Sequence, residues 1–310
     1  MSVALVFPGQ GSQRPGMFAA FGDDEQAQRT FDDAARVLGY DPRERDDEAS
    51  LRSTVHAQIG LFLCGVASAR ALQSRNAQAT IVAGHSVGAF SAAVACGSLS
   101  FEDALRALAV RARTMEQLFP SGYGMGVCAG IAQASVRAIV ERIRASGGTL
   151  YVANVNAPAQ IAISGALDAI DEALERCRRG GARRAERLAV AVPSHCPLML
   201  PAAAAVRERL QSAIVEAPRA GYVSAMRACL VRDGAGVIDD LCDGVAHEVR
   251  WDAAARLIEE LGTKLAIEAV PGRVLTDLWE SDAALRAHAM DGAPLDSSAA
   301  LARRYVCEPT

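Results

Sequence analysis

The sequence predicts an α/β fold, on two observations. Short apolar runs typical of buried strands alternate along the chain with segments whose apolar residues have helical spacing. In the middle of the chain, residues 124–192 follow the order β-α-β-β-α-β, which is typical of a compact ferredoxin-like unit. We therefore predict a large α/β domain with a parallel sheet, residues 1–123 and 193–310, into which this α+β subdomain is inserted.

Apolar runs and their Gly/Pro-rich boundaries place the elements in order. Before the insert we predict strands at Val3–Phe7 and Thr80–Ala83 and helices at Ala57–Gln73 and Phe101–Phe119. The elements predicted in the insert are Met125–Ile131, Ser135–Ala145, Tyr151–Asn154, Gln160–Ser164, Leu167–Arg179 and Ala185–Val192. After the insert, the predicted elements are the helices Met199–Leu210, Ile238–Ala246 and Asp252–Leu261 and the strand Leu265–Ala269.

Composition excludes several classes of function. Hydrophobic residues make up 51% of the 310 residues, and the net charge of −4 is spread over interspersed charges, which does not indicate a nucleic-acid surface. The eight cysteines are scattered without a C-x-x-C pair, which favours free thiols in a reducing cytoplasm over disulfides or a metal site. We expect no signal peptide and no apolar stretch of the roughly 18 residues that span a membrane.

The pentapeptide Gly84-His85-Ser86-Val87-Gly88 is the most informative motif. It follows the apolar run at residues 81–83 and opens a small-residue helical stretch, residues 89–96. A strand, a sharp Gly-x-Ser-x-Gly turn and a helix form a nucleophile elbow, which exposes the serine at a helix N-terminus. The pattern therefore predicts Ser86 as a nucleophile that attacks acyl carbonyls.

A nucleophilic serine needs a base, and His195 is the best placed of the five histidines. It follows the last predicted strand of the insert, where the chain returns to the large domain, and ligand sites of open α/β sheets collect at strand ends. A structural, hydrogen-bonded histidine is the alternative. His85 adjoins Ser86, so its side chain is expected to point elsewhere. No acidic residue stands out as the third member of a catalytic triad, and a neutral carbonyl is sufficient to orient the imidazole.

Two further features leave alternatives open. The loop Gly9-Gln10-Gly11 suits a tight turn, a weak phosphate cradle, or an oxyanion hole in which the N–H of Gln10 joins that of Val87. Arg111 lies at the border of the apolar stripe of its helix, whereas Arg113 lies well away from it. The stripe alone favours a snorkelling Arg111 over a guanidinium in a cleft that binds a carboxylate.

Taken together, these motifs resemble the malonyl-CoA:acyl carrier protein transacylases over about residues 3–280. The residues that carry the resemblance are Phe7-Pro8-Gly9-Gln10-Gly11-Ser12-Gln13, Gln58, residues 84–88, Arg111, residues 154–165, Pro193-Ser194-His195-Cys196 and Pro271-Gly272-x-Val274-Leu275-Thr276. Some local details look closest to the malonate decarboxylase epsilon subunit. They are Gly88-Ala89-Phe90, where the fatty-acid enzymes usually carry Gly-Glu, together with Gly122-Tyr123-Gly124-Met125, residues 151–158 and residues 245–251.

The resemblance implies a hydrolase-like α/β domain with a ferredoxin-like insert and a role for each matching residue. Ser86 would be acylated with His195 as its base, the N–H groups of Gln10 and Val87 would hold the oxyanion, and Arg111 would bind the malonyl carboxylate. Gln58 would line the pocket, and a main-chain carbonyl near Arg250 would orient the histidine. It also implies ping-pong transfer from malonyl-CoA to an acyl carrier protein with no bound cofactor. The closer match implies that the chain is the transacylase subunit of malonate decarboxylase, with the decarboxylase carrier subunit as the acceptor.

Three alternatives remain at this point. A transacylase of fatty-acid or polyketide synthesis would use the same residues with a phosphopantetheine carrier as acceptor. A serine esterase or thioesterase would use water and would have no need of Arg111. A non-catalytic scaffold subunit would have no need of Ser86, His195 and Arg111 together.

Overall fold

The computed structural model describes residues 2–279 and 285–307, which contain eleven strands, eleven α-helices and four short 3-10 helices. The strands are β1 (Ser2–Phe7), β2 (Ile81–Gly84), β3 (Tyr123–Ala129), β4 (Leu150–Ala157), β5 (Gln160–Ala166), β6 (Arg184–Arg187), β7 (Gly221–Ser224), β8 (Cys229–Val231), β9 (Val249–Arg250), β10 (Thr263–Glu268) and β11 (Arg286–Ala289). The helices are α1 (Glu25–Leu38), α2 (Thr54–Ser74), α3 (Gly88–Ala95), α4 (Phe101–Leu118), α5 (Gln133–Ala145), α6 (Leu167–Arg179), α7 (Leu200–Leu210), α8 (Gly234–Asp243), α9 (Trp251–Glu260), α10 (Val274–Trp279) and α11 (Leu295–Cys307). The predicted α/β class is confirmed.

The central sheet has the strand order β11-β10-β1-β2-β7-β8. Neighbouring strands are parallel except at the β7–β8 edge, which is antiparallel. Strand β1 is apolar on both faces because helices cover both sides of the sheet, as in other parallel sheets. Since β1 and β2 are parallel neighbours, with Phe7 opposite Gly84, the loop after β1 and the turn after β2 lie at the same edge.

Helix α2 runs through the core of the large domain. We expected no apolar stretch long enough to span a membrane, but this helix of 21 residues is long and apolar enough by length and composition. However, 78% of that stretch is buried inside the fold, against α1, α3 and α4. Such burial is typical of a core helix.

The second sheet has the order β6-β3-β5-β4-β9. Strands β3, β4, β5 and β6 pair antiparallel, and α5 and α6 supply the apolar side chains that pack with them in a separate core. This confirms the predicted ferredoxin-like α+β unit. A fifth strand, β9, comes from beyond the insert and pairs parallel with β4, so a segment from after the predicted insert extends the second sheet. The boundaries 124–192 stay a prediction.

Two predicted elements differ from the structure in ways that matter for the site. The strand predicted at 185–192 ends at Arg187, because the following residues leave the sheet edge to carry the chain back to the large domain. Helix α8 begins at Gly234, four residues earlier than predicted, because the Asp233 carboxylate accepts the N–H of Gly236 at 2.7 Å and caps the helix. It ends at Asp243, with Gly244 as its C-cap, and not at Ala246.

Candidate active site

Ser86 lies on a strained turn between β2 and α3. Its φ of 55° is in the left-handed region that residues other than glycine seldom adopt. The flanking glycines permit this turn: a Cβ on Gly84 would lie 2.1 Å from the backbone nitrogen of Ala89, and a Cβ on Gly88 would lie 2.3 Å from the carbonyl oxygen of Phe7. The elbow thus packs against β1 with no room for a side chain, and Ser86 stands at the N-terminus of α3, as predicted for a nucleophile elbow.

His195 lies on the segment that follows β6 and leads from the second sheet back to the large domain, and its side chain contacts Ser86. Its Nε2 lies 2.7 Å from Ser86 Oγ, and its Nδ1 lies 2.8 Å from the carbonyl oxygen of Gly244. A carbonyl can only accept a hydrogen bond, so Nδ1 carries the proton and Nε2 is free to accept the Ser86 hydroxyl proton. The main-chain N–H of His195 also donates to the carbonyl of Val245, at 2.8 Å. The residues just after α8 therefore hold both the backbone and the ring of His195.

The prediction that a carbonyl near Arg250 orients the imidazole is wrong in its position. The acceptor is Gly244, six residues earlier, because α8 ends at Asp243 and turns the next carbonyl toward His195. Arg250 instead ends the short strand β9, and its N–H donates to the carbonyl of Ala225 at 2.7 Å. The predicted type of acceptor, a neutral main-chain carbonyl, is nevertheless present.

Burial keeps His195 neutral. The side chain has an exposed fraction of 3%, and loss of hydration, aided by the positive charge of Arg111, lowers its pKa from 6.5 to about 3. The ring is therefore uncharged at neutral pH, with its one proton on Nδ1. A neutral imidazole with a free Nε2 is the form that acts as a general base.

Arg111 is buried beside the nucleophile. Its exposed fraction is 2%; one guanidinium nitrogen donates to Gln58 Oε1 and another donates to Ser86 Oγ at 3.2 Å. Burial lowers its pKa to about 10, so the group stays charged at neutral pH. No carboxylate in residues 2–279 or 285–307 forms an ion pair with it. The snorkelling position favoured by the helix pattern is wrong, because α2 covers this border of α4 and places Gln58 over the guanidinium.

Gln58 connects Arg111 to the loop after β1. Its side chain is buried, and its Nε2 donates to Gln10 Oε1 at 3.3 Å. Across the described part of the chain, neither the N–H of Gln10 nor that of Val87 has a protein acceptor. Both residues lie where the ends of β1 and β2 meet, next to Ser86. Their joint role as an oxyanion hole stays a prediction that this arrangement supports.

The other histidines are engaged elsewhere. His85 points away from the nucleophile, with its Nε2 3.0 Å from Asn156 Oδ1 and its ring against Trp251. The remaining contacts are His56 with the carbonyl of Ser50, His247 with the carbonyl of Asp243 and His288 with the hydroxyl of Ser298. Within the described residues, His195 is thus the histidine that contacts Ser86.

A narrow cavity opens beside Ser86 and Arg111. Apart from these two residues, its walls are Gly84, Ala89, Phe90, Ala225, Met226, Asp240, Leu241, Gly244, Val245 and Val249. A small acyl group on Ser86 would thus meet mostly apolar walls, with the cation of Arg111 and the carboxyl group of Asp240 as the charged side chains of the lining. Asp240 and the Gly244 carbonyl were not singled out from the sequence, because one is an ordinary helical acid and the other carries no side-chain signal.

Comparisons with known proteins agree with this geometry. The family model described as acyl transferase domain matches residues 4–276. The malonyl CoA-acyl carrier protein transacylase of Salmonella typhimurium is 34% identical, over 89% of this chain and 91% of its own. Among solved structures, an acyl-carrier-protein S-malonyltransferase from Burkholderia pseudomallei is 36% identical with a TM-score of 0.91, over 97% of this chain and 100% of its own. A malonyl-transacylase solved in complex with its type II PKS acyl-carrier protein is 33% identical with a TM-score of 0.91, over 97% and 100%.

Proposed function

The chain belongs to the acyl transferase domain family, and we propose that it moves a malonyl group from malonyl-CoA to the thiol of an acyl carrier protein through an acyl-enzyme on Ser86. The observation that carries the proposal is Arg111, a buried cation that donates to the nucleophile and has no carboxylate partner among the described residues. A buried, unpaired guanidinium is costly. A substrate that brings its own carboxylate offsets that cost.

Malonyl fits this requirement because its thioester carbonyl and its free carboxylate are separated by one methylene. With the carbonyl carbon at Ser86 Oγ, the carboxylate would lie beside the guanidinium that is 3.2 Å from the same oxygen. A guanidinium binds a carboxylate through two parallel N–H donors, which also fixes its orientation. Acetyl lacks this group and would leave Arg111 unpaired.

The first half-reaction forms the acyl-enzyme. His195 Nε2 takes the Ser86 proton while Oγ attacks the thioester carbon, and the N–H groups of Gln10 and Val87 stabilise the resulting oxyanion. The intermediate collapses, the C–S bond breaks, and the imidazolium returns its proton to the coenzyme A thiolate. The Gly244 carbonyl stabilises the imidazolium through Nδ1.

The second half-reaction runs the same steps in reverse with another thiol. His195 removes the proton of the carrier thiol, whose sulfur attacks the malonyl ester, and the Ser86 oxygen leaves and regains the proton. This is ping-pong transfer with neither a cofactor nor a metal in any step. The solved complex of a similar malonyl-transacylase with an acyl-carrier protein supports this class of acceptor.

The proposal also concerns the pathway, which is either fatty-acid or polyketide synthesis or malonate decarboxylation. The relatives described above are named malonyl CoA-acyl carrier protein transacylases, which favours fatty-acid or polyketide synthesis over malonate decarboxylase. The decarboxylase setting rests on local motifs such as Gly88-Ala89-Phe90 alone. In either setting we propose a cytoplasmic protein, in keeping with the seven free thiols among the described side chains.

A transfer assay tests the function and separates the settings. Labelled malonyl-CoA is offered with a phosphopantetheine-loaded acyl carrier protein, with a malonate decarboxylase carrier subunit, or with no carrier. The proposal expects label on the first carrier at the highest rate and little free malonate. Fast release of malonate without any carrier, or rapid hydrolysis of neutral p-nitrophenyl esters, would instead identify a thioesterase or esterase.

A further inference from the structure

We infer that Asp240 is a positioning residue, which fixes helix α8 so that the Gly244 carbonyl holds His195 at Ser86. The inference rests on the proposed function only in that His195 is the base. Asp240 touches neither reacting atom. It acts through the helix that ends beside the base.

The carboxyl group of Asp240 is buried, and each of its oxygens accepts a hydrogen bond. Its exposed fraction is 5%; Tyr222 Oη donates to Oδ2 at 2.7 Å, and Ser224 Oγ donates to Oδ1. Ser224 Oγ accepts the N–H of Arg227 at 3.0 Å, which directs the hydroxyl proton toward Asp240. No arginine or lysine in the part of the chain that the structure describes forms an ion pair with this carboxylate. Two hydroxyl donors on one carboxylate make strong, oriented hydrogen bonds.

These bonds join two parts of the active site. Tyr222 and Ser224 belong to β7, the strand that pairs with β2, and β2 leads directly into Ser86. On α8, the main-chain carbonyl of Asp240 accepts the N–H of Gly244 at 3.0 Å. The same residue therefore binds the strand next to the nucleophile and the residue whose carbonyl orients the base.

This connection matters because residues just after α8 hold both the Nδ1 side of the His195 ring and its main-chain N–H. Its ring and its backbone depend on the carbonyls of Gly244 and Val245, both at 2.8 Å. A shift of α8 along the sheet would move the imidazole away from Ser86 Oγ. Misplacement of a catalytic group by about 1 Å can cost on the order of 100-fold in rate.

The test uses Asp240→Ala, Asp240→Asn and the control Asp239→Asn. Asp239 is the adjacent carboxylate on α8, and it pairs with Arg207 at 3.0 Å on the surface. The amide of Asp240→Asn keeps the volume but accepts at one oxygen only, so we expect an intermediate effect. If Asp240→Ala does not fold, Asp240→Asn carries the same test.

Two readouts are combined. The Nδ1 proton resonance of His195, measured by NMR in the free protein, reports the hydrogen bond to Gly244 and needs no substrate. Single-turnover acylation of Ser86 by malonyl-CoA reports the base. We expect a displaced resonance and acylation slower by roughly 10–100-fold in the Asp240 variants, with Asp239→Asn normal in both.

Either of two results would overturn the inference: an unchanged His195 resonance in the Asp240 variants, or acylation per folded molecule equal to that of the wild type. A wild-type protein that accepts no malonyl group would contradict the proposed function instead. In that case the resonance alone still decides whether Asp240 positions His195.

Discussion

Replacement of Arg111 by alanine is the sharpest test of substrate choice. The guanidinium is buried, and it donates to Ser86 Oγ at 3.2 Å and to Gln58. If it binds the malonyl carboxylate, its removal leaves that charge desolvated and unpaired when the acyl group occupies the cavity. The malonyl reaction should then suffer far more than the acetyl reaction.

The magnitude follows from the type of bond that is lost. A hydrogen bond to a charged group contributes about 1.5–3 kcal/mol. Since each 1.36 kcal/mol is tenfold in rate, malonyl transfer by Arg111→Ala should fall by roughly 10–200-fold. Acetyl transfer should fall little or rise, because a buried unpaired cation has been removed.

The assay compares kcat/KM for malonyl-CoA and acetyl-CoA with one carrier protein. Arg113→Ala is the matched control, since Arg113 is exposed on the same helix. It should change neither value. Equal losses of malonyl and acetyl transfer in Arg111→Ala would refute the reasoning and would assign Arg111 a structural role.

Three further predictions concern the Ser–His pair. Ser86→Ala should abolish both acylation and transfer with the fold intact by circular dichroism, and transfer at the wild-type rate would exclude Ser86 as the nucleophile. His195→Ala should slow acylation strongly and His85→Ala far less, since His195 and not His85 contacts Ser86 Oγ; equal losses at unchanged melting temperature would reverse that choice. Because the positive charge of Arg111 helps to lower the pKa of His195, Arg111→Ala should raise that pKa and move the acidic limb of kcat/KM to higher pH. An unmoved limb would show that burial alone sets the pKa.

The sequence was sufficient to predict the parts of the site that lie in local motifs. The elbow around Ser86 was predictable because a strand, two close-packed glycines and a helix follow one another within a few residues. His195 was predictable from its place at the return from the insert. Both predictions depended on short-range patterns. In the structure His195 Nε2 and Ser86 Oγ lie 2.7 Å apart, as expected for a base and its nucleophile.

The orienting carbonyl was not predictable, because a main-chain carbonyl leaves no mark on residue type. Its position depends on where α8 ends, and the apolar pattern placed that end three residues too late, at Ala246 and not at Asp243. The prediction near Arg250 therefore failed in position. The burial of Arg111 was not predictable for a related reason. The pattern of α4 places Arg111 at the edge of the apolar stripe, but it does not indicate that α2 covers this edge.

Other elements escaped prediction because their signals are weak or depend on partners. Strands β7 and β8 are short, and β9 has two residues and exists only because β4 offers an edge. Helix α1 is mostly polar and buries only a narrow stripe of four residues. Asp240 belongs to this group as well, because only the fold brings Tyr222 and Ser224 to its carboxylate.

The most direct test of the whole account is the intact mass of the protein after brief exposure to malonyl-CoA without a carrier. The account predicts a mass increase of one malonyl group that peptide mapping places on Ser86 and that disappears when a loaded carrier protein is added. No adduct, or an adduct on another residue that persists in Ser86→Ala, would contradict the proposal of a Ser86 malonyl-enzyme.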